Sequence, residues 1–144
     1  MINNIRKGNI YYADLNPTLG SEQNGERPVA ILQNELGNEY CPTIIVAPLT
    51  SIIKKTKLPT HIFVKKRNGL KYDSLLLLEQ IRVIDKSRLI SYLCKLSENE
   101  LSLVNKGIVD TFDLDVIDYL KSFGIGEGYE KKKALYSNYY SKRI

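Results

Sequence analysis

The run Gly20-Ser21-Glu22-Gln23-Asn24-Gly25-Glu26-Arg27-Pro28 gathers side chains that could do chemistry into one connection between two strands. It offers two carboxylates, a guanidinium and a hydroxyl in a connection, Asn16 to Pro28, far longer than the roughly two to five residues that close a short hairpin. Arg27, at the end of this polar loop, can grip a phosphate through two parallel hydrogen bonds and stabilise the charge that grows in a phosphorane. Thr50, where a third strand gives way to loop, can donate a hydrogen bond to the same phosphate. The loop also reads as an ordinary solvated connection. Nothing in the sequence alone makes Arg27 and Thr50 meet.

Other chemistries lack their residues. The single histidine, His61, falls inside a strand pattern, which rules out a two-histidine nuclease mechanism within one chain and favours a structural role. No Gly-rich phosphate loop with its lysine is present, and no Cys/His or clustered-carboxylate set has metal-ligand spacing. Glu79 beside Gln80 is no metal centre. An enzyme built from this sequence is expected to work without a metal or cofactor. Lys54, Lys55 and Lys57 either grip flanking phosphates or belong to a solvated loop.

The elements that must position these residues come from a chain of 144 residues, enough for one domain with its own core. A formal charge of +5 and a pI near 9.1 favour a polyanionic partner such as nucleic acid. Cys41 and Cys94 lie far apart and read as reduced thiols packed as small hydrophobes. The amino terminus has no apolar run of signal-peptide length, and runs such as Leu75 to Leu78 are too short to span a bilayer. A soluble, cytoplasmic protein is expected.

Asn9–Leu15, rich in aromatic and β-branched residues and stopped by Asn16-Pro17, reads as a strand. Val29–Leu32 suits an interior strand, Asn34 to Pro42 a turn region, and Thr43–Thr50 a third strand that should lose pairing at Pro48. His61–Lys65 and Ser74–Glu79 flank the turn pair Asn68-Gly69, a hairpin signal. Ile81–Ile84 and Leu89–Leu96 complete a small antiparallel barrel or sandwich. The period then changes. Ser97 and Glu100 form a capping box, and Leu101, Val104, Ile108 and Phe112 give one apolar helical face, with Gly107 a cost to the helix. Val116–Leu120 could extend that helix towards Gly124. Tyr129–Ile144, mixing lysines and tyrosines, reads as a solvated tail or locally packed helix, or as a strand-tracking RNA contact.

Gly8–Pro17 followed by Gly20–Val29 resembles the opening of the MazF/PemK family of toxin endoribonucleases. Ala47–Thr50, Lys57–His61, Asp73-Ser74, Leu77–Arg82 and Ile84–Lys86 fit the same pattern, which covers roughly Arg6 to Leu114. The resemblance implies a toxin domain over residues 1–114 and an extension over 115–144. It implies a homodimer of small SH3-like (CcdB/MazF-type) antiparallel barrels, mainly β with a C-terminal helix, cutting single-stranded RNA without a metal. It places the catalytic pair at Arg27 and Thr50. Ser21 and Glu22 match positions that support substrate binding or catalysis, and Glu22 is our candidate base because arginine is too weak a base. Gln23, Glu79 and Gln80 lie in the matching motifs and are expected, with Lys54, Lys55 and Lys57, to bind substrate. A cognate antitoxin is the implied protein partner. The alternative is a non-catalytic CcdB-like toxin that binds DNA gyrase.

Overall fold

The computed structural model describes residues 3–54, 58–122 and 128–141. Lys55 and Lys57 lie outside these residues, as do the last three of the chain. Among the described residues there are seven strands: β1 (Asn9–Asp14), β2 (Glu26–Ile31), β3 (Thr43–Thr50), β4 (His61–Val64), β5 (Ser74–Leu77), β6 (Arg82–Asp85) and β7 (Leu89–Lys95). The described residues also form four α-helices, α1 (Glu35–Tyr40) between β2 and β3, and α2 (Glu98–Phe112), α3 (Val116–Ser122) and α4 (Gly128–Ser141) after β7. The sheet runs β4-β5-β3-β2-β1-β7, with β6 also on β3, and every pairing among the described strands is antiparallel. The chain is thus mainly antiparallel sheet with a few helices. No ladder among the described residues joins β4 to β7, so the sheet stays open where the sequence suggested a barrel.

Alternation along the strands feeds two apolar clusters. Tyr11, Val29, Ile31, Ile44 and Val46 pack in one, while Ile10, Ala30, Ala47 and Leu49 join Ile62, Leu76, Leu78 and Val104 in the other. Each fully buried Leu or Ile contributes roughly 1.5–3 kcal/mol, and β1 and β2, which flank the polar loop, bury side chains in both clusters. Pro48 does not end β3. On one edge of β3, β6 pairs with Thr43 to Val46 and β5 with Leu49 and Thr50. Pro48 falls in the gap between them, where no ladder donor is needed.

The segment expected as a turn around Gly37-Asn38 is the short helix α1. Its N-cap is Asn34, whose side chain accepts from the Gly37 N–H at 2.8 Å. Ser97 and Glu100 make the anticipated capping box on α2. Val104 is buried and Leu101 and Ile108 pack on the core, but Phe112 at the helix end stays 55% exposed. Gly107 is a packing residue rather than a mere weakness: a Cβ there would meet Leu78 Cδ1 at 2.4 Å. Asp113, left-handed at φ 51°, closes α2, so Val116–Ser122 forms a separate helix rather than an extension. The described part of the tail is helical as far as Ser141, and Tyr136, Tyr139 and Tyr140 of α4 face α1, β3 and β6. Among the described residues no helix is long and apolar enough to cross a membrane.

Candidate active site

Strand register explains why Arg27 and Thr50 meet. Val29 pairs with Pro48 and Ile31 with Val46. Carried two residues further, that antiparallel register sets Arg27 opposite Thr50. Arg27 therefore sits at the start of strand β2, not in the loop where sequence reading put it. Its Nη1 lies 3.5 Å from the Leu49 carbonyl oxygen, directly before Thr50. The Thr50 Oγ1 accepts from the Ile52 N–H at 3.2 Å, which leaves its own proton available to a ligand.

The guanidinium is held from the loop side. Arg27 Nε donates to the Asn24 carbonyl at 2.7 Å, and Nη1 donates to the Gln23 side-chain oxygen. Burial pulls the Arg27 guanidinium below its ordinary value, with the nearby Tyr12 acting in the opposite direction. Arginine remains cationic through such a shift, and a partly desolvated cation attracts phosphate more strongly than a solvated one.

The loop that carries Gln23 is itself tied down. Gln80, on a 3-10 turn (Leu78–Gln80) after β5, accepts from the Gln23 N–H at 3.3 Å and donates to the Ser21 carbonyl at 3.4 Å. Within the loop, Glu22 accepts from the Leu19 N–H at 3.3 Å. Ser21 and Glu22 are exposed, and neither lines the clefts that Arg27 and Thr50 share.

Those clefts are two, meeting along the Arg27–Thr50 edge. The smaller, about 340 Å³, sets the polar side chains of Gln23, Lys54, His61, Glu79 and Gln80 beside Arg27 and Thr50, against apolar Ile52, Leu75 and Leu77. Here His61 accepts at Nδ1 from the Leu58 N–H at 3.2 Å, so Nε2 carries the proton and donates to Glu79 Oε1 at 2.7 Å. Thr60 Oγ1 donates to the other Glu79 oxygen at 2.8 Å. Burial raises the Glu79 carboxyl, but bonds from its own backbone, Thr60 and His61 outweigh that and hold it below its ordinary value. The larger cleft, about 480 Å³, has Tyr12, Leu49, Leu70, Lys71, Tyr72 and Leu93 among its walls.

Sequence reasoning thus found Arg27, Thr50, Gln23, Lys54, Glu79 and Gln80, and the structure brings these together. It missed His61 as part of the same cleft, and it missed Tyr12 and Tyr72. Outward-facing aromatic residues next to a polar loop were the available signal. Among the described residues no group of three His, Cys, Asp or Glu side chains is placed to hold a metal ion. What the site offers chemically is a fixed cation, a free hydroxyl proton and hydrogen-bonding edges around one solvent-open ridge, which suits an anionic ester rather than a carbonyl.

Comparison with known proteins agrees in kind. Residues 6–112 match the profile of a family described as PemK-like, MazF-like toxin of type II toxin-antitoxin system. The chain is 49% identical over 119 residues to the endoribonuclease MazF of Staphylococcus epidermidis, covering 82% of this chain and 99% of that protein. Among solved structures, the Mycobacterium tuberculosis toxin MazF-mt6 superposes with a TM-score of 0.63 at 26% identity, covering 74% of this chain and 98% of that one. MazF from Deinococcus radiodurans shares the fold with a TM-score of 0.67 at 22% identity, over 76% of this chain and 97% of the other.

Proposed function

The chain belongs to the family of PemK-like, MazF-like toxins of type II toxin–antitoxin systems, and from that premise we propose that it is a metal-independent endoribonuclease acting on single-stranded RNA. The observation that carries this reading is the Arg27–Thr50 edge, where two strand-borne groups suited to one phosphate line the same pair of clefts. In the reaction the ribose 2′-oxygen gives up its proton and attacks phosphorus, and the P–O5′ bond breaks as the departing 5′-oxygen takes a proton from Arg27 or from water. The products are a 2′,3′-cyclic phosphate, or the 3′-phosphate it opens to, and a 5′-hydroxyl. Arg27 stabilises the charge on the phosphorane oxygens, and Thr50 donates to the same group. Protein donors fixed before the reaction need no reorganisation as charge develops.

The 2′-hydroxyl must lose a proton, and Glu22 takes the role of base only if the loop swings its carboxylate in from the contact with Leu19. Gln23 and Glu79 set the hydrogen-bonding edge of the smaller cleft, Gln80 holds the loop that carries Gln23, Lys54 adds charge to the cleft, Ser21 serves the strand outside it, and Lys55 and Lys57 grip flanking phosphates. We read the open sheet as the SH3-like barrel of the CcdB/MazF type, working as a homodimer and restrained by a cognate antitoxin. Residues 1–114 form the toxin domain in this reading, and 115–144 are an extension not needed for cutting. A gyrase-binding role would leave the two clefts around Arg27 without a use.

The test is to map ends released from a mixed RNA pool in EDTA. The expected result is cutting at one recurring short word, leaving 5′-hydroxyl and cyclic or 3′-phosphate ends. Intact RNA, or 5′-phosphate ends, would refute the reading.

A further inference from the structure

We propose that the larger cleft, walled by Tyr12 and Tyr72, is a stacking subsite for a nucleobase next to the cleaved bond, with Lys71 at its rim gripping backbone phosphate. The inference rests on the endoribonuclease reading and deepens it.

Position comes first. The cleft shares Arg27 and Thr50 with the smaller one, so both open onto the same edge. A phosphodiester held there has a nucleotide on each side, and the two clefts lie where those nucleotides must go. Both mix polar and apolar walls, but their distinctive side chains differ. The smaller presents His61 and Glu79, hydrogen-bonding groups suited to a base edge. The larger is lined by Tyr12 and Tyr72 together with the apolar Leu49, Leu70 and Leu93. Rings and aliphatic carbons recognise the face of a base, which every base has. At about 480 Å³ the cleft also falls within the roughly 300–1,000 Å³ typical of small-ligand sites.

The platform under Tyr72 is rigid, although Tyr72 itself is 58% exposed. Gly69, at φ +94°, presses against β7 so closely that a Cβ would stand 1.9 Å from the Leu93 carbonyl oxygen. Arg67 pairs with Glu100 of α2 and donates to the Lys95 carbonyl at 3.0 Å. The Lys66 N–H donates to Asp73 at 2.8 Å, and the Ser74 hydroxyl to the Tyr72 carbonyl at 2.9 Å. A connection braced at four points presents an exposed aromatic ring, with the Lys71 ammonium 5.5 Å from its centre. A ring that packs into the core would need no such exposure. A ring that stacks on a ligand does, and holding it in place beforehand lowers the entropic cost of binding.

The experiment is a cycle between protein and RNA, using an oligoribonucleotide that carries the mapped cut site. Wild type, Tyr72→Ala and Tyr72→Phe are each assayed on this RNA and on versions abasic at single positions around the cut. Tyr72→Ala is expected to raise KM by roughly five- to a hundredfold, and Tyr72→Phe to match wild type. An abasic site at one neighbouring position should cost wild type a similar factor and cost Tyr72→Ala little, because the partner ring is already gone. Penalties that simply multiply at every position, or an unchanged KM for Tyr72→Ala, would overturn the subsite while leaving the endoribonuclease reading intact. Wild-type protein that cuts no RNA at all would overturn both.

Discussion

Replacing Gln80 with alanine separates two roles that sequence alone could not. The matching motifs suggested that Gln80 touches substrate. In the structure its amide is spent at both ends on the loop backbone, at Gln23 N–H and Ser21 carbonyl, 3.3 and 3.4 Å away. Gln23 in turn accepts from Arg27. Gln80 is thus a positioning residue, two contacts removed from the phosphate. Hydrogen bonds of this length are weaker than average, so losing both removes about 1–2 kcal/mol from the held loop. If that clamp alone holds the loop, the fraction of molecules with Arg27 in place falls by at most about five- to thirtyfold. Steady-state cleavage should show kcat reduced within that bound, with KM changed by less than about threefold. The cut word should be the same. A variant with raised KM, unchanged kcat and relaxed base preference would show that Gln80 contacts RNA directly, and the relay argument would fail.

Two further outcomes test the scaffold. Gly107→Ala gains about 1 kcal/mol of helix propensity but drives a methyl onto buried Leu78, at an overpacking cost of roughly 1–3 kcal/mol; urea unfolding should show net destabilisation, and a stabilised variant would mean Leu78 can yield. Burial raises the Glu100 carboxyl, but the Arg67 bonds outweigh it and hold it below its ordinary value. A depressed carboxylate stabilises the fold above its unfolded value and loses that contribution as pH falls through the folded one. Glu100→Gln should therefore cost roughly 1–3 kcal/mol near neutral pH, and progressively less below the ordinary carboxylate range. A loss that is constant with pH would remove the ion pair from the explanation.

What was legible in the sequence was local. The aromatic and β-branched run Asn9–Leu15, the Asn68-Gly69 turn and the Ser97–Glu100 capping box each draw their signal from residues a few positions apart. Misreadings arose where partners far along the chain decide. By sequence Pro48 should end the strand or cost it pairing; β3 runs on to Thr50, and the lost pairing is confined to the edge where β6 gives way to β5, which cannot be seen in sequence. Gly37-Asn38 is the exception, a local misreading: the pair looks like a turn, yet Asn34 three residues earlier caps a helix there and Asn38 bonds back to the Gln33 carbonyl. His61 reads as structural from its strand pattern, which does not show that β4–β5 pairing brings its Nε2 to Glu79, the carboxylate that Thr60 also bonds. The site itself was half visible. Residue types named Arg27 and Thr50 as candidates, but only the β2–β3 register sets them face to face.

That convergence is the central claim, and a double-mutant cycle measures it most directly. Single-turnover cleavage of the mapped RNA is compared for wild type, Arg27→Ala, Thr50→Ala and the double variant, with RNA binding checked in parallel. If both groups act on one phosphate, Arg27→Ala loses about 10²–10³-fold, and the double variant is little slower than the worse single one. Losses that multiply as independent factors, or an Arg27→Ala protein that cuts at the wild-type rate, would contradict the account.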